Sequence, residues 1–225
     1  MKLLSIIRAR SIWLLHLDDL NPRGRSIERN VVAEMAARYE FSRVPDAKEI
    51  IELRRENKPV VLEGGQFKAA DGTTIDVTLS IFRDGLMADT RCSTGECDRF
   101  LSEILTWLHT DIGLLDYRTL SKRNLYVSEI HVESENSLNI VNPAFERFAE
   151  LLSTKVVGPI AKPKYELGAI GFWIDPEQNP RHIHFRLERQ EDAPFAENRY
   201  ISSAPLETDQ HLEALALLES MLTAN

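Results

Sequence analysis

Cysteine is nearly missing from this sequence of 225 residues: Cys92 and Cys97, separated by Ser-Thr-Gly-Glu, are the two it has. One pair is too few for a structural zinc, no histidine lies at ligand spacing, and both read as reduced thiols of a cytoplasmic protein. Long hydrophobic runs are missing as well, so no stretch spans a bilayer and no membrane partner is expected. The apolar opening Met-Lys-Leu-Leu-Ser-Ile-Ile is broken by Arg8 and Arg10 before it reaches the length of a signal-peptide core, and no small-residue cleavage site follows.

Clustered positive charge is a third absence. With 35 acidic against 27 basic residues the net charge is −8 and no basic run stands out. That balance speaks against a sequence-independent grip on nucleic-acid phosphates and suits a basic protein partner. Familiar catalytic signatures are absent too. Gly64-Gly65 is followed by neither a basic residue nor a helix start, as a phosphate loop would require, and there is no Gly-x-Ser-x-Gly elbow. No cofactor is implied.

What the sequence does contain is patterning. From Pro59 to Arg91, three strands are joined by Asp71-Gly72 and Asp84-Gly85, two-residue turns in which glycine tolerates positive φ. Ile75, Val77, Leu79 and Ile81 alternate with Thr74, Asp76, Thr78 and Ser80, which makes one face of this meander apolar and the other wet. Residues 3–17 read as a long first strand with Leu3, Ile7, Ala9, Trp13, Leu15 and Leu17 on one side. Ser26 caps a helix whose buried stripe is Ile27, Val31, Val32, Met35 and Tyr39; Asp46 with Glu49 and Ser93 with Glu96 are capping boxes for two more. The second of these carries Phe100, Leu101, Ile104, Leu105 and Leu108 on one side.

Between Gly113 and Arg123 the periodicity lapses, and then the order of elements starts again. Leu125–Val132 is a strand, Asn142-Pro143 opens a helix with Phe145, Phe148, Ala149 and Leu152 inward, and strands follow at 165–175, 181–190 and 198–203 before a helix from Thr208 or Asp209. The expected fold is therefore α+β: two similar β-α-β-β-β-α halves, residues 1–114 and 124–225 joined by a linker at 115–123, each an antiparallel sheet with helices packed on one face.

The stretch Arg181-His182-Ile183-His184-Phe185-Arg186-Leu187-Glu188 is the most suggestive for function. A strand period of two puts His182, His184, Arg186 and Glu188 on one wet face and Ile183, Phe185 and Leu187 on the other. One reading is a metal site in which His182 and His184 are joined by His131 or Glu133, giving a metal-dependent enzyme. The blander reading is a cross-strand ion-pair face that adds Arg189 and Glu129 and orients a partner. Trp173 follows Phe172, so one of the two must turn away from the core, and Trp173 joins the candidate contact residues. Ser202 and Ser203 with His182 and Asp175 form a hydrolytic triad only on paper. Asp18 and Asp19 with Glu207 and Asp209 could gather a Mg²⁺, although carboxylates before a helix commonly answer its dipole.

No catalytic pattern outlasts its structural explanation. The residues point to a non-catalytic protein-binding module of the immunity-inhibitor or accessory-subunit kind, from a bacterial defence or toxin system. Its binding residues are Trp173, His182, His184, Arg186 and Glu188, with no metal and with homo-oligomer formation left open. The metal enzyme at His182/His184 is the rival.

Overall fold

The computed structural model of the chain describes residues 1–21, 24, 30–155, 163–175, 177 and 184–223. Among these the chain is mixed α/β, with eight strands and six α-helices, and every strand pair of defined register is antiparallel. Contacts divide it into two compact units, each drawing on more than one stretch of chain. The first comprises Arg8–Ser128 with Leu206–Thr208; the second comprises Met1–Ile7, Glu129–Pro205 and Asp209–Asn225.

In the first unit the alternating meander becomes β2 (Val60–Lys68), β3 (Thr74–Phe82) and β4 (Gly85–Thr90), and β4 pairs in turn with β1 (Lys2–Leu14) from Ala9 to Leu14. Val77 and Leu79 are buried as the alternation requires, but so is Ser80 from the opposite face. The two Asp-Gly turns use glycine for different reasons. Gly72 takes φ +86, whereas Gly85 is not in the left-handed region; there a Cβ would lie 2.4 Å from the Trp13 carbonyl oxygen, so it is the close approach of β1 that excludes a side chain.

The helices of this unit start where their caps say. The Asp46 carboxylate accepts from the Lys48 and Glu49 amides at 2.7 and 2.9 Å, opening α3 (Ala47–Arg55). Ser93 accepts from the Glu96 amide at 3.2 Å, opening α4 (Thr94–Thr110). Two shorter helices precede them: α1 (Leu17–Leu20), which the sequence does not announce, and α2 (Asn30–Arg38). Val31, Val32, Met35 and Tyr39 form the buried stripe expected of α2, while Ser26 and Ile27 lie outside the described residues. Phe100, Leu101, Ile104, Leu105 and Leu108 of α4 are all buried, and Phe100 is the hub of edge-on contacts to Tyr39, Phe41 and Phe67 at 5.1 to 6.5 Å. At residues 113–123 a short 3-10 turn, Tyr117–Thr119, is capped by Asp116, with Leu114 and Tyr117 buried.

The second unit is built on β5 (Arg123–Glu133, of which Glu129–Glu133 belong here), β6 (Ala169–Phe172), β7 (Phe185–Arg189) and β8 (Arg199–Ala204), in the order β5-β8-β7-β6. Its core gathers Ile130, Val132, Leu138, Leu187, Tyr200, Leu215 and Leu222, the last two from α6 (Thr208–Thr223). Three expectations are corrected here. The strand expected over 165–175 is only Ala169–Phe172, because the chain before it bonds elsewhere: the Leu167 amide donates to the Asn139 side chain at 2.7 Å. Leu3, read as part of the apolar side of β1, is exposed, whereas Ala9 and Trp13 of that side are buried. And α5 (Pro143–Lys155), opened by Asn142 accepting from the Ala144 amide at 2.8 Å, buries only Ala149 of its four expected inward residues. Phe145 and Phe148 are 46% and 57% exposed.

No helix among the described residues is long and apolar enough to cross a membrane.

Candidate functional site

Of the expected binding residues, Arg186 and Glu188 lie on β7, His184 immediately precedes it, and Trp173 immediately follows β6. In the ribbon of β6 and β7, the register pairs Gly171 with Arg186, Phe172 with Phe185, and Ala169 with Glu188. Period-two alternation then divides it into two faces. On one, Phe172 meets Phe185 at 5.8 Å between ring centroids, Phe185 stands edge-on to His211 at 6.0 Å, and Leu187 is fully buried. On the other, Trp173 and His184 stack at 3.8 Å between centroids with 27° between planes, and Arg186 donates to Glu188 at 2.7 Å.

That second face is held in place from below. Trp173 is 76% exposed, yet it is not free to swing: the His184 ring covers one side of the indole, and Gly171 leaves the space it needs, since a Cβ there would come within 3.3 Å of the indole nitrogen. The face thus brings an exposed indole, an imidazole, a guanidinium and a carboxylate together. Phe172 and Ile174 add exposed apolar surface on either side of Trp173 in the chain.

His182 lies outside the described residues. Of its expected companions in a metal site, His131 is engaged through Nδ1 with the Ser5 hydroxyl at 3.0 Å. Among the described residues no three His, Cys, Asp or Glu side chains come together to hold a metal ion.

Two features of the expected wet face are different in fact. Arg189 does not join Arg186 and Glu188; it is buried, donating to Glu166 at 2.5 Å, the Tyr200 hydroxyl at 3.1 Å and the Phe195 carbonyl at 3.2 Å. The parity of the strand required this, because 189 is odd where 186 and 188 are even. Burial works to raise the Glu166 carboxyl, but hydrogen bonds from Lys164 and Ser137 and the charge of Arg189 outweigh it and hold the group below the ordinary range. Ser202, expected with His182, which lies outside the described residues, meets His211 at 2.8 Å. The dyad is fully buried, and burial pulls the imidazole down to about 4, so it is neutral and sealed from any substrate.

In the first unit, sequence reading missed a polar cluster at the start of α4. Asp98 accepts from Trp13 at 2.7 Å, from Tyr126 at 2.9 Å and from Ser11. Burial, and then the Asp98 carboxylate, push the Tyr126 hydroxyl up to about 12. With all its strong donors engaged in the fold, Asp98 is a brace for the strands and not an exposed base. Neither thiol is activated: burial raises Cys92, and raises the buried Cys97 to about 12.

No protein-family model matches the chain, and no curated protein sequence matches it.

Proposed function

We propose that the chain is a non-catalytic protein-binding module that takes its partner on the Trp173, His184, Arg186 and Glu188 face of the β6–β7 ribbon. The carrying observation is the Trp173 side chain, three-quarters exposed and yet fixed by its stack on His184. Exposing an indole to water is unfavourable, and ordering it before binding lowers the entropy that binding would otherwise cost. The net charge of −8 favours a basic partner, and Arg186 lets a carboxylate of that partner exchange with Glu188. An immunity inhibitor of a basic toxin, or an accessory subunit of a bacterial defence assembly, has these requirements.

This reading takes the chain as a duplication, residues 1–114 and 124–225 about a junction at 115–123. Its support is the order of strands, β1-β4-β3-β2 in one half and β5-β8-β7-β6 in the other, with a three-stranded meander leading into a helix each time.

The test is capture of a partner from the source cell by the full chain, followed by titration with variants. Trp173→Ala and Arg186→Ala should each weaken binding by more than about 2 kcal/mol. His184→Ala, which removes the indole's support but little contact area, should weaken it less. Retention of full affinity in all three variants would reject this face. A second copy of the chain as the partner would appear as a dimer in sedimentation that the same substitutions dissociate. A bound zinc lost on changing His184 would instead favour the metal-enzyme reading.

A further inference from the structure

A sheet ends in edge strands whose outward amides and carbonyls need partners, and the two units treat theirs differently. In the first, β2 is the outer strand and its edge is occupied. Arg43 and Glu63 exchange both backbone bonds, at 3.2 and 3.0 Å, and the Gln66 amide donates to the Tyr39 carbonyl at 2.6 Å. A register shift between Leu62 and Gly65 interrupts the strand as well. In the second unit β6 is the outer strand, and among the described residues no strand pairs with its free side.

Parity decides what that side presents. The Arg189 amide donates to the Gly168 carbonyl at 2.8 Å, which makes those two residues a hydrogen-bonded pair in the β6–β7 register. Alternation then turns the main-chain groups of Ile170 and Phe172 toward β7 and those of Ala169 and Gly171 outward. None of the usual guards stands there. From Leu167 to Ile174 the chain has no charged residue and no proline, and Arg186 and Glu188 on the neighbouring strand are paired with each other at 2.7 Å.

From this open, uncharged edge we infer that the second unit pairs with a second copy of the chain, β6 against β6, antiparallel about a two-fold axis. With Ala169 of one copy opposite Gly171 of the other, every outward group of both strands finds a partner. Ile170 then meets its own counterpart, and Phe172, 59% exposed, lies diagonal to it and is covered. A second copy suits this edge because the net charge of −8 is absent from the contact, so like charges do not meet there, and an isologous pair is the commonest closed assembly. The side chains it covers lie on the face opposite Trp173, so the contact is separate from the proposed partner face.

Sedimentation of the full chain across a range of concentrations, with amide exchange measured at both ends of it, tests the pairing. A dimer should form as concentration rises, and the Ala169 and Gly171 amides should exchange about ten-fold or more slowly in it. Ala169→Pro removes an outward donor from each copy, and Ala169→Lys sets an ammonium on the edge; each should weaken the dimer about ten-fold or more. Ala169 is exposed and its amide turns away from β7, so the lysine variant should fold as the parent does. Arg186→Ala should leave the dimer intact, which separates it from the partner face. A chain that stays monomeric throughout would overturn the inference, as would a dimer whose Ala169 and Gly171 amides exchange as fast as the monomer's. So would a dimer that Arg186→Ala dissociates and Ala169→Lys does not. Protection of the two amides only when a different protein is added to a monomeric chain would assign the edge to a foreign strand and overturn it too.

Discussion

The two units treat apolar surface in opposite ways. Among the described residues, the large apolar side chains more than a third exposed number three in the first unit, Val44, Ile51 and Leu115, and twelve in the second. The first turns its aromatics inward around Phe100; the second holds Phe145, Phe148, Phe172 and Trp173 to solvent. Isolated exposed apolar residues are ordinary, and it is their concentration in one unit that sets the two apart. The difference teaches that the first unit buries its large apolar side chains more completely, and the face proposed above for a partner belongs to the second.

The largest test of that division is in the two cores. Leu79→Ala in the first unit and Leu187→Ala in the second remove fully buried side chains, and each should cost about 3–5 kcal/mol in urea unfolding. Phe185, only half-buried, should cost less than Leu187 when truncated. If Leu187→Ala were neutral, the second unit would lack a packed core and its exposed surface would signify looseness instead of docking.

Next comes the buried ion pair of the second unit. Arg189→Ala leaves the Glu166 carboxylate buried with Lys164, a mostly exposed partner at 2.6 Å, and should cost about 3 kcal/mol, toward the low end for breaking such pairs. Arg186→Ala, three residues away on the outer face, should cost less than about 0.5 kcal/mol. That contrast between neighbouring arginines separates bracing from display within one strand.

Acid should act on the second unit through His211. Its folded form takes a proton only at about 4, whereas an unfolded histidine does so near 6.5. Between those values the unfolded state binds more protons, so stability is complete above about pH 6.5 and falls by about 3 kcal/mol in all as pH drops to about 4. Glu166 acts in the same direction, but only below about pH 4.5 where an unfolded carboxylate titrates. Unfolding free energies measured across this range should show the loss, and His211→Gln should flatten it.

How far the sequence made all this legible depended on the range of the interaction. Caps are local, and Asp46, Ser93 and Asn142 each accept the amide bonds their spacing implies. Periodicity is nearly as local, and it identifies the stripe of α4 without error. What periodicity cannot say is whether a stripe is covered. α4 and α5 have similar apolar patterns, and only the first packs its aromatic residue against neighbours. Contacts between distant segments were out of reach: His211 is nine residues from Ser202 across a turn, and Asp98 collects Trp13 and Tyr126 from 85 and 28 residues away. The position of Arg189 was legible from parity alone.

The smallest expected effect is also the one that most directly challenges the contrast between units. Phe148 projects from α5 into solvent, so Phe148→Ser should change the unfolding free energy by less than about 0.5 kcal/mol once the slight loss of helix propensity is included. The same exchange at Phe100 removes the hub of the first unit's aromatic cluster and should cost about 3–5 kcal/mol or more. Phe148→Ser should also lower the tendency of the chain to associate, seen as a smaller concentration dependence in sedimentation. A loss of about 2 kcal/mol or more at Phe148 would mean that its ring is covered in solution, and the contrast in exposed apolar surface between the two units would shrink accordingly.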